Sequence, residues 1–312
     1  MFISFYIKSF LERRRDNMFP IVAIQGGLGN QLSQWFYAHT IEASGQFQID
    51  PIYSKTTNGL RSFELYELMD RCSHIQTNGD RFIHRRQKLF FRLLDRAWEI
   101  EKARSIVEAM GYFREDPRKD QPQSRGKKGT RRYSKGYFQL QEKVELSKIA
   151  VCNELVPIVE GVLKRMQRKF NLPRNYSVIH VRRGDYQPQV FTSVYLGILD
   201  DSYFSEWVKD LNLTNLVLLT ENISDVPNLI SKVKPILALD KNQTSAWETL
   251  AIISGAQNFL GSNSTLSWWG SRLCAIQGGD VWLPSEWSFW KNVITEDYIF
   301  LGCKTRESRW IN

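Results

Sequence analysis

Two adjacent arginines, Arg182 and Arg183, follow a short, mostly apolar run in the segment HVRRGD, which ends at Asp185. The apolar run predicts a buried strand, and charged side chains that leave a buried strand are costly unless an anion meets them. Guanidinium groups bind diphosphates through paired hydrogen bonds and offset the charge on a departing group. Asp185 would orient one arginine or accept a bond from a hydroxyl. The segment predicts an anion-binding catalytic site, with a salt-bridged loop as the alternative.

A second polar segment, GGLGNQ at residues 26–31, follows a predicted strand at Ile21–Gln25 and leads into a predicted helix at Gln31–Ala43. Gly27 and Gly29 allow a tight turn and a close backbone approach to a ligand. The amides of Asn30 and Gln31 would then grip a phosphate or a sugar hydroxyl beside the free N–H groups of the helix start. A bare structural turn is the alternative.

A third segment, GSNSTLSWWG at residues 261–270, also follows a predicted strand and opens a predicted helix. Its short polar side chains and backbone N–H groups, at Asn263, Ser264 and Thr265, would form another anion-binding site, which we call the phosphate cradle. The two tryptophans that follow are predicted to pack into the core.

The elements that position these segments alternate along the second half of the chain. Apolar runs predict strands at Ser177–Val181, Leu216–Thr220, Ile236–Leu239, Asn258–Leu260 and Val281–Pro284. Amphipathic stretches between them predict helices at Asp201–Leu211, Asp225–Val233 and Ser245–Ser254. This alternation predicts an α/β fold with a parallel sheet covered by helices on both faces, and ligands bind at the carboxyl ends of such strands.

The length of 312 residues predicts two lobes of roughly 150 residues each. We expect an N-terminal extension at residues 1–17, an N-terminal lobe at 18–172 and a C-terminal lobe at 173–312. Pro, Gly and charged residues between positions 116 and 136 predict a flexible basic loop in the first lobe.

Composition excludes a globally disordered chain, because apolar residues make up 42% and charged residues 24%. The four cysteines and four histidines are dispersed, so neither a metal cluster nor a disulfide framework is expected. The N-terminal apolar patch is too short to span a bilayer and lacks the features of a signal peptide. A cytoplasmic protein is therefore the expectation, with peripheral contact at the inner face of the membrane as an alternative.

The net charge of +9 arises in one region. Between Arg81 and Lys135 there are seventeen Lys or Arg against seven Asp or Glu, an excess of ten. A solvated loop, anionic lipid or a phosphorylated substrate would explain it. Nucleic-acid binding is the remote alternative, since no recognition signature accompanies the charge.

Together, GGLGNQ, HVRRGD and NSTLSWWG closely resemble the family 11 glycosyltransferases, the α-1,2-fucosyltransferases. The order and spacing match from about Ile21 to Trp287, and the HxRRxD pattern is shared with α-1,6- and protein O-fucosyltransferases. The resemblance implies a GT-B-like fold with an acceptor-facing N-terminal lobe and a Rossmann-like C-terminal lobe that binds GDP-fucose. It also implies inversion at the anomeric carbon and no required metal or other cofactor.

The resemblance implies roles for individual residues. Arg182 and Arg183 would hold the diphosphate and assist the departure of GDP, while His180 would support the guanosine side. Asn30 would contact the donor phosphate or fucose. Three residues of the last segment, Asn263, Ser264 and Thr265, would complete the phosphate cradle.

Two acidic positions depart from the family pattern. Glu248 stands where relatives carry Asp, which implies a role in guanosine recognition, and Glu221 lies in Thr-Glu-Asn where relatives carry Ser-Asp-Asp. The glutamate that serves as base in α-1,6 relatives is replaced here by Val190. Asp185, Glu221 and a substrate-assisted route therefore stay open as the base.

The expected function is transfer of L-fucose from GDP-β-L-fucose to a sugar hydroxyl of an oligosaccharide or lipid-linked glycan. The family implies the 2-hydroxyl of galactose as acceptor, in the synthesis of a surface polysaccharide or O-antigen. Another GDP-sugar-dependent transferase on the same fold is the alternative. Contact of the basic region with anionic lipid, where a lipid-linked acceptor would lie, is a further hypothesis, and a solvated loop explains the same residues.

Overall fold

The computed structural model describes residues 20–41, 47–51, 62–71, 85–109, 112–114, 133–138, 151–183, 197–288, 299–300 and 302–311. These residues form two compact units. The N-terminal unit holds the described residues up to Gly26 and from Gln31 to Phe138, and the C-terminal unit holds Gly27 to Asn30 together with those from Val151 onward. Within these ranges, every helix falls short of the length or the apolar character needed to cross a lipid bilayer.

The N-terminal unit is built on a parallel sheet of four strands in the order β2-β1-β4-β3. The strands are β1 (Ile21–Gln25), β2 (Gln48–Pro51), β3 (Tyr112–Arg114) and β4 (Tyr133–Lys135). The helices are α1 (Leu28–Ile41), α2 (Tyr66–Arg71), α3 (Arg85–Trp98) and α4 (Arg104–Ala109), with a 3₁₀ turn at Glu101–Ala103. Stacked rings fill the core, because Tyr133 lies between Phe91 and Tyr112 at centroid distances of 4.5 and 5.5 Å.

The C-terminal unit is built on a parallel sheet of six strands in the order β10-β9-β8-β5-β6-β7. The strands are β5 (Ser177–Val181), β6 (Leu216–Thr220), β7 (Leu237–Leu239), β8 (Asn258–Gly261), β9 (Asp280–Pro284) and β10 (Cys303–Arg306). The helices are α5 (Val156–Phe170), α6 (Asp201–Asp210), α7 (Pro227–Val233), α8 (Ala246–Ser254) and α9 (Thr265–Ile276). A π-helical turn at Val151–Leu155 precedes α5, and a 3₁₀ turn at Ile223–Asp225 precedes α7.

Helices cover both faces of this sheet. Ile179 and Val181 of β5 belong to one buried cluster with Tyr203 of α6. On the opposite face of β5, His180 contacts Ser267 of α9. The strand order reverses at β5, because β6 and β7 follow on one side and β8 to β10 on the other. Such a reversal opens a ligand crevice at the carboxyl edge of a parallel sheet.

The α/β class and the Rossmann-like parallel sheet of the second half are confirmed, and each unit carries its own parallel sheet, as a GT-B-like fold requires. Strands β5 and β6 have the predicted bounds. Helix α1 begins at Leu28, before the predicted start at Gln31. Gly29 and Asn30 therefore lie in the first helical turn, since the buried side chain of Leu28 already belongs to the helix.

Two boundaries differ from the sequence expectation. The predicted loop at 116–136 ends earlier, because residues 133–135 form β4, and residues 116–132 lie outside the described ranges. The C-terminal unit begins after Phe138, and not at residue 173. Helix α5 belongs to it because α5 packs against α8.

Candidate active site

His180 stands at the carboxyl end of β5 and is buried. Its Nδ1 lies 2.6 Å from the Ser267 hydroxyl of α9, and that hydroxyl lies 3.4 Å from the hydroxyl of Ser262. Burial, with a smaller effect from the charge of Arg182, lowers the pKa of His180 to about 3. The imidazole is therefore neutral at physiological pH, and it ties the end of β5 to the first turn of α9.

Arg182 pairs with Glu221, which follows the neighbouring strand β6. An Arg182 guanidinium nitrogen lies 2.6 Å from Oε1 of Glu221, and the two side chains are 13% and 18% exposed. The pair forms because Val181 and Thr220, the last residues of the two strands, stand opposite each other in register. The carboxylate holds a partly accessible guanidinium at the carboxyl edge of the sheet.

Arg183 has a different partner and is more deeply buried, at 6% exposed. It donates to Asp201 Oδ1 at 2.8 Å, in the first turn of α6, and to the carbonyl of Arg182 at 3.1 Å. Burial lowers the pKa of Arg183, while the charge of Asp201 opposes that effect. Arg183 is positioned to fix the backbone that carries Arg182, which is the more accessible of the two.

The loop between β8 and α9 is buried and fixed by side-chain bonds. Asn263 donates to the carbonyl oxygens of Gly197 at 3.4 Å and Trp287 at 3.3 Å. Ser264 is the residue before the first turn of α9, and its hydroxyl makes no capping bond to that turn. The helix thus begins at Thr265 beside the end of β5, where its N-terminal N–H groups favour negative charge.

The glycine segment approaches this same helix start. A Cβ placed on Gly29 would lie 2.5 Å from the backbone nitrogen of Leu266 and 2.5 Å from the carbonyl carbon of Thr265. Only glycine allows the first turn of α1 to come this close to the first turn of α9. Gly27, Gly29 and Asn30 belong to the C-terminal unit, so the second and third polar segments meet there.

Gln31 has a structural role in the N-terminal unit. Its amide donates to the carbonyl oxygens of Gly26 and Ser62, both at 2.8 Å, and accepts from the backbone N–H of Glu64 at 2.9 Å. Gln31 is fully buried, and these bonds brace the turn after β1.

Glu248 lies in the first turn of α8, where it completes a capping box with Ser245. Its Oε2 accepts from the backbone N–H of Ser245 at 2.8 Å, and Lys169 lies 3.8 Å from its other oxygen. The carboxylate stabilises the start of α8. Asp185 lies outside the described residues.

Sequence reasoning missed several polar groups at this edge. Asp201 and Ser267 hold Arg183 and His180, and the buried carboxylate of Asp240, after β7, accepts from Asn242 at 2.9 Å. The buried Thr220 hydroxyl at the end of β6 makes no hydrogen bond within the described part of the chain. No single motif marks these residues, although each stands at a strand end or in a first helical turn.

Within the described ranges, no group of three or more His, Cys, Asp and Glu residues comes together as a metal site would require. Metal independence stays a prediction from the resemblance.

A parallel sheet whose reversal point carries an arginine beside a helix N-terminus defines an α/β protein with a candidate ligand crevice at its carboxyl edge. The chain belongs to glycosyl transferase family 11, whose model matches residues 108–287. The prediction of a family 11 glycosyltransferase is confirmed.

The chain is 24% identical over 119 residues to the O-antigen biosynthesis glycosyltransferase WbnK of Escherichia coli, a match that covers 36% of this chain and 39% of that protein. The chain thus spans well under half of that relative's length. Among solved structures it is similar to the α-1,6-fucosyltransferase NodZ co-crystallised with GDP, at 12% identity and a TM-score of 0.44, over 82% of this chain and 92% of that one. It is also similar to the E. coli ADP-heptose heptosyltransferase II, at 12% identity and a TM-score of 0.44, over 92% and 90% of the two chains.

Proposed function

We propose that this family 11 protein transfers L-fucose from GDP-β-L-fucose to a hydroxyl of an acceptor glycan, with inversion at the anomeric carbon. One observation carries the proposal. Arg182, in the HVRRGD segment that resembles the fucosyltransferase signature, stands at the reversal point of a parallel sheet, on the strand beside the one that leads into α9. That arrangement suits the diphosphate of a nucleotide sugar.

The proposed reaction is a single displacement. The acceptor oxygen forms a bond to the anomeric carbon of fucose while the bond from that carbon to the β-phosphate oxygen breaks, and the bonding electron pair leaves with GDP. The guanidinium of Arg182 and the N–H groups of α9 offset the added charge on the diphosphate. The proton of the acceptor hydroxyl passes to a base.

Three routes for that proton stay in the proposal: Asp185, Glu221 or the substrate itself. The pairing with Arg182 gives Glu221 a second function, since its carboxylate holds the guanidinium in place.

The acceptor in this proposal is the 2-hydroxyl of galactose in a surface polysaccharide or O-antigen repeat. The name of WbnK, an O-antigen biosynthesis glycosyltransferase, supports the O-antigen assignment. The linkage is an expectation of the family resemblance alone.

The test is donor turnover by the purified protein with EDTA present, comparing GDP-fucose with GDP-mannose and UDP-galactose. Turnover of GDP-fucose alone, with NMR of the product showing an α-1,2 linkage, would support the donor, the linkage and metal independence. Preference for another donor, or activity abolished by EDTA, would overturn the assignment of sugar or mechanism.

Replacing Arg182 tests the role of the guanidinium. Arg182→Ala should lower kcat/KM for GDP-fucose by roughly two to four orders of magnitude, the scale of losing a donor to transition-state charge. Arg165→Ala, on the exposed side of α5, is the matched control and should retain wild-type turnover. Near-normal turnover in a folded Arg182→Ala variant would remove Arg182 from the mechanism.

A further inference from the structure

Helix α3 has one face buried in the core of the N-terminal unit. Phe91, Leu94 and Trp98 belong to a buried cluster that also contains Ile21 of β1 and Tyr133 of β4. Their spacing of three and four residues is that of a single helical face. This packing fixes which side of α3 is turned outward.

The outward face of α3 is unusual for a helix exposed to water. It consists of Leu89, Arg92, Leu93 and Arg96, which are spaced as one stripe and are all exposed. The two leucines are 62% and 57% exposed, and Ile100, which continues the spacing just past the helix end, is 60% exposed. Single exposed apolar residues are ordinary, but a stripe of them between arginines is characteristic of an interaction surface.

The sequence of this helix is strongly basic. The sequence of α3 holds five basic residues, Arg85, Arg86, Lys88, Arg92 and Arg96, and one acidic residue, Asp95. Asp95 is used within the unit, where it accepts from the Tyr112 hydroxyl at 2.5 Å and from the Lys135 ammonium at 2.6 Å. The four residues of the stripe are therefore leucines and arginines, and the exposed Glu99 just past the helix end is paired with Arg114.

This chemistry selects between classes of partner. Arginines alone would suit nucleic-acid phosphates, but two leucines exposed by more than half of their surface gain nothing from a phosphate backbone. An anionic bilayer satisfies both groups, because lipid phosphates meet guanidinium groups and the headgroup–acyl boundary accepts short apolar side chains.

We propose that the outward stripe of α3, formed by Leu89, Arg92, Leu93 and Arg96, binds the surface of an anionic lipid bilayer. The stripe lies in the N-terminal unit, whereas the arginine site lies in the C-terminal unit. Membrane binding bears on the proposed function in one way, because it would bring the enzyme close to a lipid-linked acceptor. Binding itself requires no transferase activity.

The test is co-sedimentation of the full chain with phosphatidylcholine vesicles prepared with or without phosphatidylglycerol. The wild type should bind the anionic vesicles. Leu89→Ser/Leu93→Ser and Arg92→Gln/Arg96→Gln should each weaken that binding about tenfold or more, since both insertion and charge contribute. The arginine variant should also show a weaker salt dependence of binding than the wild type.

The matched control is Leu211→Ser/Ile276→Ser, two exposed apolar residues of the C-terminal unit that are 40% and 42% exposed. It should bind vesicles like the wild type. All three variants change exposed side chains and should retain wild-type circular dichroism and turnover with a soluble acceptor. If a serine variant fails to fold, the arginine variant still decides the result.

Equal binding to neutral and anionic vesicles, or wild-type binding by both stripe variants, would overturn the proposal. Binding to duplex DNA without binding to vesicles would assign the stripe to another polyanion and would equally overturn it. If the wild type turns over GDP-fucose but does not bind vesicles, only the membrane-binding proposal is refuted. Vesicle binding without turnover of any fucose donor refutes the proposed function alone.

Discussion

At the scale of single residues, Glu221 is unexpected beside a site for an anionic donor. A carboxylate repels a diphosphate, yet this one lies 2.6 Å from Arg182 in a poorly solvated position. Its physical role is to hold the guanidinium in one orientation before the donor arrives, which reduces the ordering that binding must supply. Glu221 is therefore a positioning residue for Arg182 as well as a candidate base.

A double-mutant cycle separates these two roles. If Glu221 acts through Arg182, Glu221→Gln should lower kcat less than Arg182→Ala does, and the double variant should be no slower than Arg182→Ala alone. If Glu221 is the base, the losses should add, and Glu221→Asp should retain more turnover than Glu221→Gln because it keeps a carboxylate. Steady-state kinetics of these variants distinguish the outcomes.

His180 makes stability depend on pH. Its pKa is about 3 in the folded chain against an ordinary 6.5, so only the unfolded state takes up this proton as pH falls between those values. Protonation of the unfolded chain favours unfolding, and stability is lost on acidification by up to about 1.4 kcal/mol per pH unit in that window. Relative to His180→Gln, the wild type should lose resistance to urea as the pH falls below 6.5, the ordinary pKa of histidine. Parallel curves for the two proteins would contradict a buried, neutral imidazole.

At the scale of elements, the contact between the first turns of α1 and α9 depends on one glycine. Gly29→Ala should destabilise the chain by about 1–3 kcal/mol through overpacking, although alanine normally favours a helix. It should also weaken GDP affinity, because the added Cβ displaces the helix start that we propose as the phosphate cradle.

Gly278→Ala is the control for that substitution. Gly278 has φ +88° and nothing within 4 Å of its Cβ position, so alanine there should cost about 1 kcal/mol in backbone strain and leave GDP affinity unchanged. Calorimetric titration of GDP and thermal unfolding measure both effects. Equal GDP affinity in Gly29→Ala and the wild type would show that this contact does not shape the donor site.

The sequence predicts the C-terminal sheet well because its buried strands are apolar runs bounded by turn residues. β5 and β6 are found at their predicted bounds for this reason. β4 could not be predicted in the same way, since Tyr-Ser-Lys is polar and becomes a strand only by pairing with the distant β1 and β3. The spacing of Ser245 and Glu248 is that of a capping box, which marks the start of α8 in the sequence.

The residues of the candidate site also fall into two groups, those whose position the sequence predicts and those whose position depends on packing. Motif position alone placed Arg182 and His180 at the carboxyl end of β5, because a strand end can be read locally. Their partners could not be read, since Glu221 and Ser267 lie on other elements and are brought close only by strand register and helix packing. Asp201, which holds Arg183, was hidden in a helix start for the same reason.

At the scale of the whole molecule, the basic charge and the arginine site are separate features. The excess between Arg81 and Lys135 accounts for the net charge, so the rest of the chain is close to neutral. In the C-terminal unit, Arg182 and Arg183 are each paired with a carboxylate. Donor binding should therefore depend on fixed hydrogen-bond donors, and membrane binding on the exposed leucines and arginines of α3.

The most direct test of the proposed donor site is the crystal structure of the chain bound to GDP. The diphosphate should lie within hydrogen-bond distance of the Arg182 guanidinium and of backbone N–H groups in the first turn of α9, at the carboxyl edge of β5 and β8. A diphosphate bound elsewhere, with Arg182 still paired only to Glu221, would contradict the assignment of this sheet edge as the donor site.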